Sequence, residues 1–292
     1  MALSESAASR YMSCMDFLRR RRRADVSGEV PLRVDVGSAT DTGPRPDNQD
    51  RCAVSPGWAI VSDGVGGHAG GGLAAELTVE AVVSVLDAAD GPDTAGAVDE
   101  QLLRRTFEAA NEAVRARRRD DPAVADMGAT LTIAVLASPA ERDGSRWLVA
   151  SAGDSPAWRV TAASAERLTQ DHTLAAELAR TGAISEADAA RHPGRHVVTR
   201  SIGSEDRIAP DITATVLQAG EALVLASDGM SDVLDPTEIH AAAAGAATAA
   251  DAARRLVDAA LARDAGDNVT AAVVRHVALS ADAPDADPHP PR

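Results

Sequence analysis

The chain has 292 residues, 45% hydrophobic and 25% charged, an ordinary balance for a globular protein, with a net charge of −15 at pH 7. That charge argues against general nucleic-acid binding, which needs a basic footprint, and no run approaches the ~18 apolar residues of a membrane span. Two cysteines, Cys14 and Cys52, are too few for a disulfide framework and suit a reducing compartment, so a cytoplasmic protein is expected.

Residues 1–29 hold YMSCMDFL and five arginines, Arg19 to Arg23, ahead of a Ser-Gly stretch, and read as a mobile arm. Their charges follow the apolar residues, the reverse of a signal peptide. Leu32–Val36 is the first strand-like run, and RPDNQD places Asp50 at a turn. Trp58–Ser62 reads as a strand ending at Asp63. The glycine-rich VSDGVGGHAGG then opens a helix over Leu73–Ala88, whose apolar positions Leu77, Val82, Val85 and Leu86 make a face too broad for a surface helix. A second helix is expected over Val98–Arg118. Asp126 precedes a strand over Thr130–Ala137, followed by strands over Trp147–Ala152 and Ala157–Thr161 and a helix over Leu174–Thr181. Thr213–Leu217 and Ala222–Ser227 read as strands, the second ending at Asp228. Helices over Pro236–Ala244 and Ala249–Arg263 precede Asp267 and a last strand over Asn268–Val277. The Pro/Asp-rich 280–292 read as a disordered tail. Strands cluster and helices cluster. That predicts one α+β domain over 30–279, with mainly antiparallel sheets and helices outside them.

Asp50, Asp63, Asp228 and Asp267 each follow or precede an apolar strand, so folding can gather them at one edge. Two carboxylates ~5 Å apart repel by roughly 3 kcal/mol at an effective dielectric of ~20. Divalent cations with hard oxygen ligands are the natural compensation. The glycine-rich turn after Asp63 lacks the spacing and the Lys-Ser/Thr pair of a P-loop, and the order of GxGxxG. Cys14 to Arg20 fits a Cys-x5-Arg spacing, but the intervening residues offer no glycine for an amide nest, and Asp16 would face the phosphate.

In order, RPDNQD, VSDGVGGHAGG, DMGATL, ASAGDSPAW, LTQDHT, VVTRSIG, LASDGM and GDNVT resemble the type 2C metal-dependent protein Ser/Thr phosphatases in their compact bacterial form, from about residue 32 to 277. The resemblance implies a four-layer αββα sandwich with a binuclear Mn²⁺ or Mg²⁺ centre and a weaker third site. Asp63 would bridge both ions and the Gly64 carbonyl would bind one. Asp228 and Asp267 would complete one ion, and Asp50 would serve the other, mainly through water. Asp126 with Asp228 resembles the third site, and Arg45 the arginine that grips the substrate phosphate. Asp154 and Ser155 would orient water or ligand, and about 172 to 196 correspond to the mobile flap. The implied reaction is hydrolysis of phosphoserine and phosphothreonine in proteins, a Ser/Thr kinase among the partners, by a monomer.

Three departures stand out. Gln49 replaces a glutamate, removing a negative charge near the second metal. Val65 stands where some members have a proton-donating histidine, and His68 further along reads better as a turn or helix-start residue. Pro156 replaces an arginine. Gln49 and Pro156 are the support for the alternative, a metal-poor pseudophosphatase that binds a phosphoprotein as a regulatory module.

Overall fold

A computed structural model describes residues 32–65, 70–89, 98–141 and 144–278; the N-terminal arm, His68 and the tail lie outside the described residues. Among the described residues, twelve strands form two five-stranded antiparallel sheets and one short ribbon. The first sheet runs, across its width, β1 (Leu32–Asp41), β12 (Val269–Ala278), β11 (Ala222–Ala226), β8 (Ala157–Val160) and β9 (Ala165–Arg167). The second runs β10 (Asp211–Leu217), β7 (Gly144–Ala152), β6 (Leu131–Glu141), β3 (Trp58–Ser62) and β2 (Arg51–Ser55). The ribbon pairs β4 (Gly64–Val65) with β5 (Gly128–Ala129).

Side chains alternate across a strand, so a strand covered on both faces must be apolar at every position. That is how the central strands read. On β3, Ala59 and Val61 face the other sheet, while Ile60 faces helices. On β11, Leu223 and Leu225 face inward, and Ala222, Val224 and Ala226 face outward. The inner layer joins Ala59, Val61, Trp147 and Val149 of one sheet to Leu223, Leu225, Ala272 and Val274 of the other.

Helix α1 (Gly70–Ala89) and helix α2 (Glu100–Asp120) cover the second sheet through Val82, Leu103, Phe107 and Val114. The broad apolar face of α1 has its reason here: it meets both the sheet and α2. Asp99 caps α2, accepting from the Leu102 amide at 2.9 Å. Residues 172–196, the expected flap, hold two short helices, α3 (Leu174–Arg180) and α4 (Glu186–Ala189), and α5 (Asp228–Ser231) follows β11. Helices α6 (Pro236–Ala244) and α7 (Ala249–Leu261) cover the first sheet, α7 burying Ala249, Ala252, Ala253, Leu256, Val257 and Ala260. The layers are helix, sheet, sheet, helix, as expected.

Candidate metal centre

Antiparallel alternation puts the expected acids at one end of the sandwich. Asp63 leaves the C-terminal end of β3, and Asp50 enters its antiparallel neighbour β2. Asp228 leaves β11, and Asp267 enters its antiparallel neighbour β12. Asp154 follows β7, whose register with β6 brings Ala152 opposite Leu131, beside the start of β6.

Two glycines let backbone meet backbone there. A Cβ on Gly64 would lie 2.2 Å from the Gly71 carbonyl carbon, so only glycine lets the first turn of α1 close over the Asp63 turn. A Cβ on Gly229 would lie 2.1 Å from the Asn268 carbonyl oxygen, so glycine likewise lets α5 approach the Asp267 turn. Asn268 completes the join. Its Nδ2 donates to the carbonyls of Thr42 (2.8 Å) and Asp47 (3.0 Å), and its Oδ1 accepts from the Gln49 amide (2.8 Å). Thr130 fixes the other side: its Oγ1 accepts from the Asp63 amide (2.9 Å), its amide donates to the Asp63 carbonyl (2.8 Å), and its hydroxyl meets Ser155 Oγ at 2.6 Å.

The assembled carboxylates are under electrostatic stress. Both oxygens of Asp50, 3% exposed, are buried without a hydrogen bond of good geometry. Burial raises its pKa, the hydroxyls of Ser227 and Thr270 and a bond with Asp63 pull it partly back, and the charge of Asp267 raises it again. Asp63 is driven well above the carboxylate range, first by desolvation, then by the charges of Asp50, Asp228 and Asp154. Desolvation followed by Asp228 pushes Asp154 to about 7, and desolvation followed by Asp232 and Asp267 pushes Asp228 to about 6. Isolated protein does not hold four such groups ionised cheaply. An all-oxygen donor set with two orphaned buried oxygens fits hard divalent cations.

The remaining expected residues fall as follows. Arg45 reaches the site, pairing through Nη2 with Asp267 Oδ2 (2.6 Å) and through Nε with the Gly266 carbonyl (3.1 Å). The Gln49 amide oxygen lies over Gly71, where an added Cβ would meet it at 2.5 Å and the Gly64 carbonyl oxygen at 2.6 Å. Asp126 is exposed, in no hydrogen bond or ion pair among the described residues, while Met127 beside it takes the buried position. The groups whose charges act on Asp228 are instead Asp232, Asp267 and Asp50.

Residues that sequence reasoning passed over include Thr130, Asn268, Asp232 and His196. Asp232 follows Asp228 by one helical turn in SDGMSD, a spacing that could have flagged it. His196 Nδ1 lies 3.5 Å from Asp232 Oδ2, and ligand atoms of His196, Asp228 and Asp232 lie within 4.8 Å of one another. Arg45, His196, Asp228, Asp232 and Asp267 line a cavity of about 240 Å³.

One carboxylate ties His172, where the expected flap begins, to Arg200, which lies just past its end. Asp211 accepts from Arg200 Nη1 (2.7 Å) and faces His172 Nε2 at 3.1 Å. The Gly153 amide donates to His172 Nδ1 (3.1 Å), and Arg200 Nη1 also lies 2.9 Å from His172 Nε2, so the three side chains form one cluster. Burial alone would raise Asp211, but the hydrogen bonds from Arg200 and His172 outweigh it and leave its pKa lowered.

A family profile described as Protein phosphatase 2C matches residues 45–273. Serine/threonine phosphatase stp of Listeria monocytogenes is 30% identical over 215 residues, 74% of this chain and 82% of that one. The solved PPM Ser-Thr phosphatase MsPP of Mycobacterium smegmatis, in complex with cacodylate, superposes with a TM-score of 0.69 at 34% identity, covering 82% of this chain and 97% of that one. The catalytic domain of the serine/threonine phosphatase PstP, in complex with two manganese ions, gives a TM-score of 0.72 at 28% identity over 84% of this chain and 99% of that one.

Proposed function

The chain belongs to the protein phosphatase 2C family and is a metal-dependent protein serine/threonine phosphatase, and we propose the residues that carry the reaction. The observation that supports the assignment is the gathering of Asp50, Asp63, Asp228 and Asp267, with both Asp50 oxygens buried and without a hydrogen bond of good geometry. Asp63 and the Gly64 carbonyl would hold two ions between them, Asp228 and Asp267 would complete one, and Asp50 would serve the other. Mn²⁺ or Mg²⁺ would fill the site, two ions per molecule, with Asp126 and Asp228 the reading for a weaker third. Such ions supply a lowered water pKa, from ~15.7 towards neutrality, and charge neutralisation at phosphorus.

The chain's own residues do the remaining work. Arg45 binds and orients the phosphoryl oxygens with its planar fork. Its pair with Asp267 is exposed on both sides, so exchanging that partner for a phosphoryl group costs on the order of 1 kcal/mol or less. Thr130 and Ser155 fix the Asp63 turn, and Asp154 would orient water or ligand beside it.

Phosphorylated proteins are the substrates, and a Ser/Thr kinase is proposed among them. The catalytic domain is taken as 30–279, acting as a monomer in the cytoplasm; no described helix is long and apolar enough to cross a membrane. A metal-poor binding module is not favoured, because all the principal carboxylates are kept. Hydrolysis of p-nitrophenyl phosphate with Mn²⁺ tests the reading. Loss of turnover with chelator and in Asp63→Asn is expected, and turnover that survives both overturns the metal centre.

A further inference from the structure

Four large apolar side chains are exposed among the described residues, and two of them, Leu174 at 39% and Val197 at 51%, meet on the flap. The Leu174 amide donates to the Val197 carbonyl at 2.9 Å, and the next residues, Thr173 and Val198, form an antiparallel bridge. A single exposed valine or leucine is ordinary on a protein surface. This pair is locked side by side, and Val197 directly follows His196, which lines the active-site cavity. The backbone that carries the platform therefore reaches the cavity wall at His196.

Charge marks the same spot. Residues 172–200 carry four arginines against three acids, on a chain of net charge −15. Arg200 is committed to Asp211. Arg195 is exposed and in no ion pair among the described residues, although its charge helps lower the pKa of Asp232, which burial raises. An anionic peptide leaving the cavity past His196 would therefore meet one unspent guanidinium and one apolar shelf. Extended chain advances about 3.3 Å per residue, so three flanking residues on either side span about 10 Å.

We propose that Leu174 and Val197, with Arg195 beside them, form a docking platform for the polypeptide flanking the phosphorylated residue. It selects phosphoprotein segments that carry an apolar side chain and an acidic one close to the phosphoserine or phosphothreonine. The inference rests on the phosphatase reading of the neighbouring site, and its test separates the two.

The probes are synthetic phosphothreonine peptides carrying Leu or Ser, and Glu or Lys, at each of the three flanking positions on either side, with p-nitrophenyl phosphate as a substrate too small to touch the platform. The enzymes are wild type, the double variant Leu174→Ser/Val197→Ser, and Arg195→Glu. Wild type should favour a Leu peptide over its Ser counterpart about tenfold in kcat/KM, mainly through KM. The double variant should erase that preference while keeping wild-type turnover of p-nitrophenyl phosphate, and Arg195→Glu should erase the preference for Glu over Lys. Equal kcat/KM for Leu and Ser peptides in wild type overturns the platform, as does a double variant that loses as much on the small substrate as on the peptide. Should wild type hydrolyse neither substrate, anisotropy of a labelled Leu peptide decides: binding lost in the double variant supports the platform while sinking the phosphatase reading, and binding unaffected by it overturns the platform.

Discussion

Replacing Asp228 by asparagine should make the metal-free protein more stable while destroying its activity. Asp228 stands at the first turn of α5, half-buried, with its pKa pushed from 3.8 to about 6 by desolvation and then by Asp232 and Asp267. A carboxyl whose folded-state pKa is raised contributes its full stability below the unfolded value, near 3.9, and loses it as pH rises through the folded value. Here the loss falls between about pH 4 and 6 and reaches about 3 kcal/mol once both states are ionised. Solvent at the mouth screens part of that, so about 1–3 kcal/mol is the expected gain for Asp228→Asn at pH 7.5. For a domain of this size that is a rise in Tm of roughly 2–10 °C. The assay is urea and thermal unfolding of chelator-treated wild type and variant at pH 7.5 and pH 4.5. The gap should shrink at the lower pH, where wild type is protonated at this position. With Mn²⁺ restored, wild type should gain stability that the variant does not. A metal-free variant no more stable than wild type at pH 7.5, or a gap indifferent to pH, would refute the electrostatic account of the cluster.

Arg45→Ala should raise KM for phosphosubstrates about tenfold with a smaller effect on kcat, since one exposed charge-assisted contact is removed; unchanged steady-state constants would place the phosphate elsewhere. Gln49→Glu should tighten Mn²⁺ binding, because it puts a carboxylate beside the Gly64 carbonyl where the amide oxygen now lies; calorimetric titration of the two proteins checks it, and identical isotherms would show that the position does not face an ion. Asn268→Ala should cost about 2–4 kcal/mol by leaving the Thr42 and Asp47 carbonyls and the Gln49 amide without their partner. Unfolding midpoints report that loss, and a midpoint within about 0.5 kcal/mol of wild type would remove Asn268 from the framework.

The sequence made some elements legible for a physical reason. Strands β3, β11 and β12 are covered on both faces, so their runs are apolar and their ends conspicuous, and Asp63, Asp228 and Asp267 sit at those ends. Strand β2 was missed because Arg51–Ser55 forms a half-buried sheet edge with no apolar alternation. The second half of β1 was missed because register against β12 forms it; Thr40 meets Thr270 hydroxyl to hydroxyl at 2.7 Å. Helices α4 and α5 are one turn long, below any periodic signal. In the site, the acids were readable as types at strand ends. The roles of Asn268 and Thr130 were not, because each depends on partners 67 or more residues away.

Why the acids meet at all follows from the sandwich. Neighbouring strands run antiparallel, so a strand that ends at the site is followed across the sheet by one that begins there, and each β3–β2 or β11–β12 pair supplies two acids at once. Twist and side-chain bulk would still hold the two sheets' edges apart. Gly64 lets α1 close over the Asp63 turn and Gly229 lets α5 close on the Asp267 turn, each admitting a backbone group where a Cβ would overlap it, so the loops at that end pack tightly. Asn268 and Thr130 then fix the loops by hydrogen bonds, without contributing charge. The acids are therefore pressed together by neutral contacts distributed over the whole core, dominated by the inner layer of Val61, Trp147, Leu223, Leu225 and Val274. That arrangement lets the site stay strained without an ion: repulsion worth a few kcal/mol is opposed by a core whose apolar burial is on the order of 10² kcal/mol before entropy is counted. A cluster held by its own ion pairs would relax when emptied, whereas contacts of this kind do not depend on the ions.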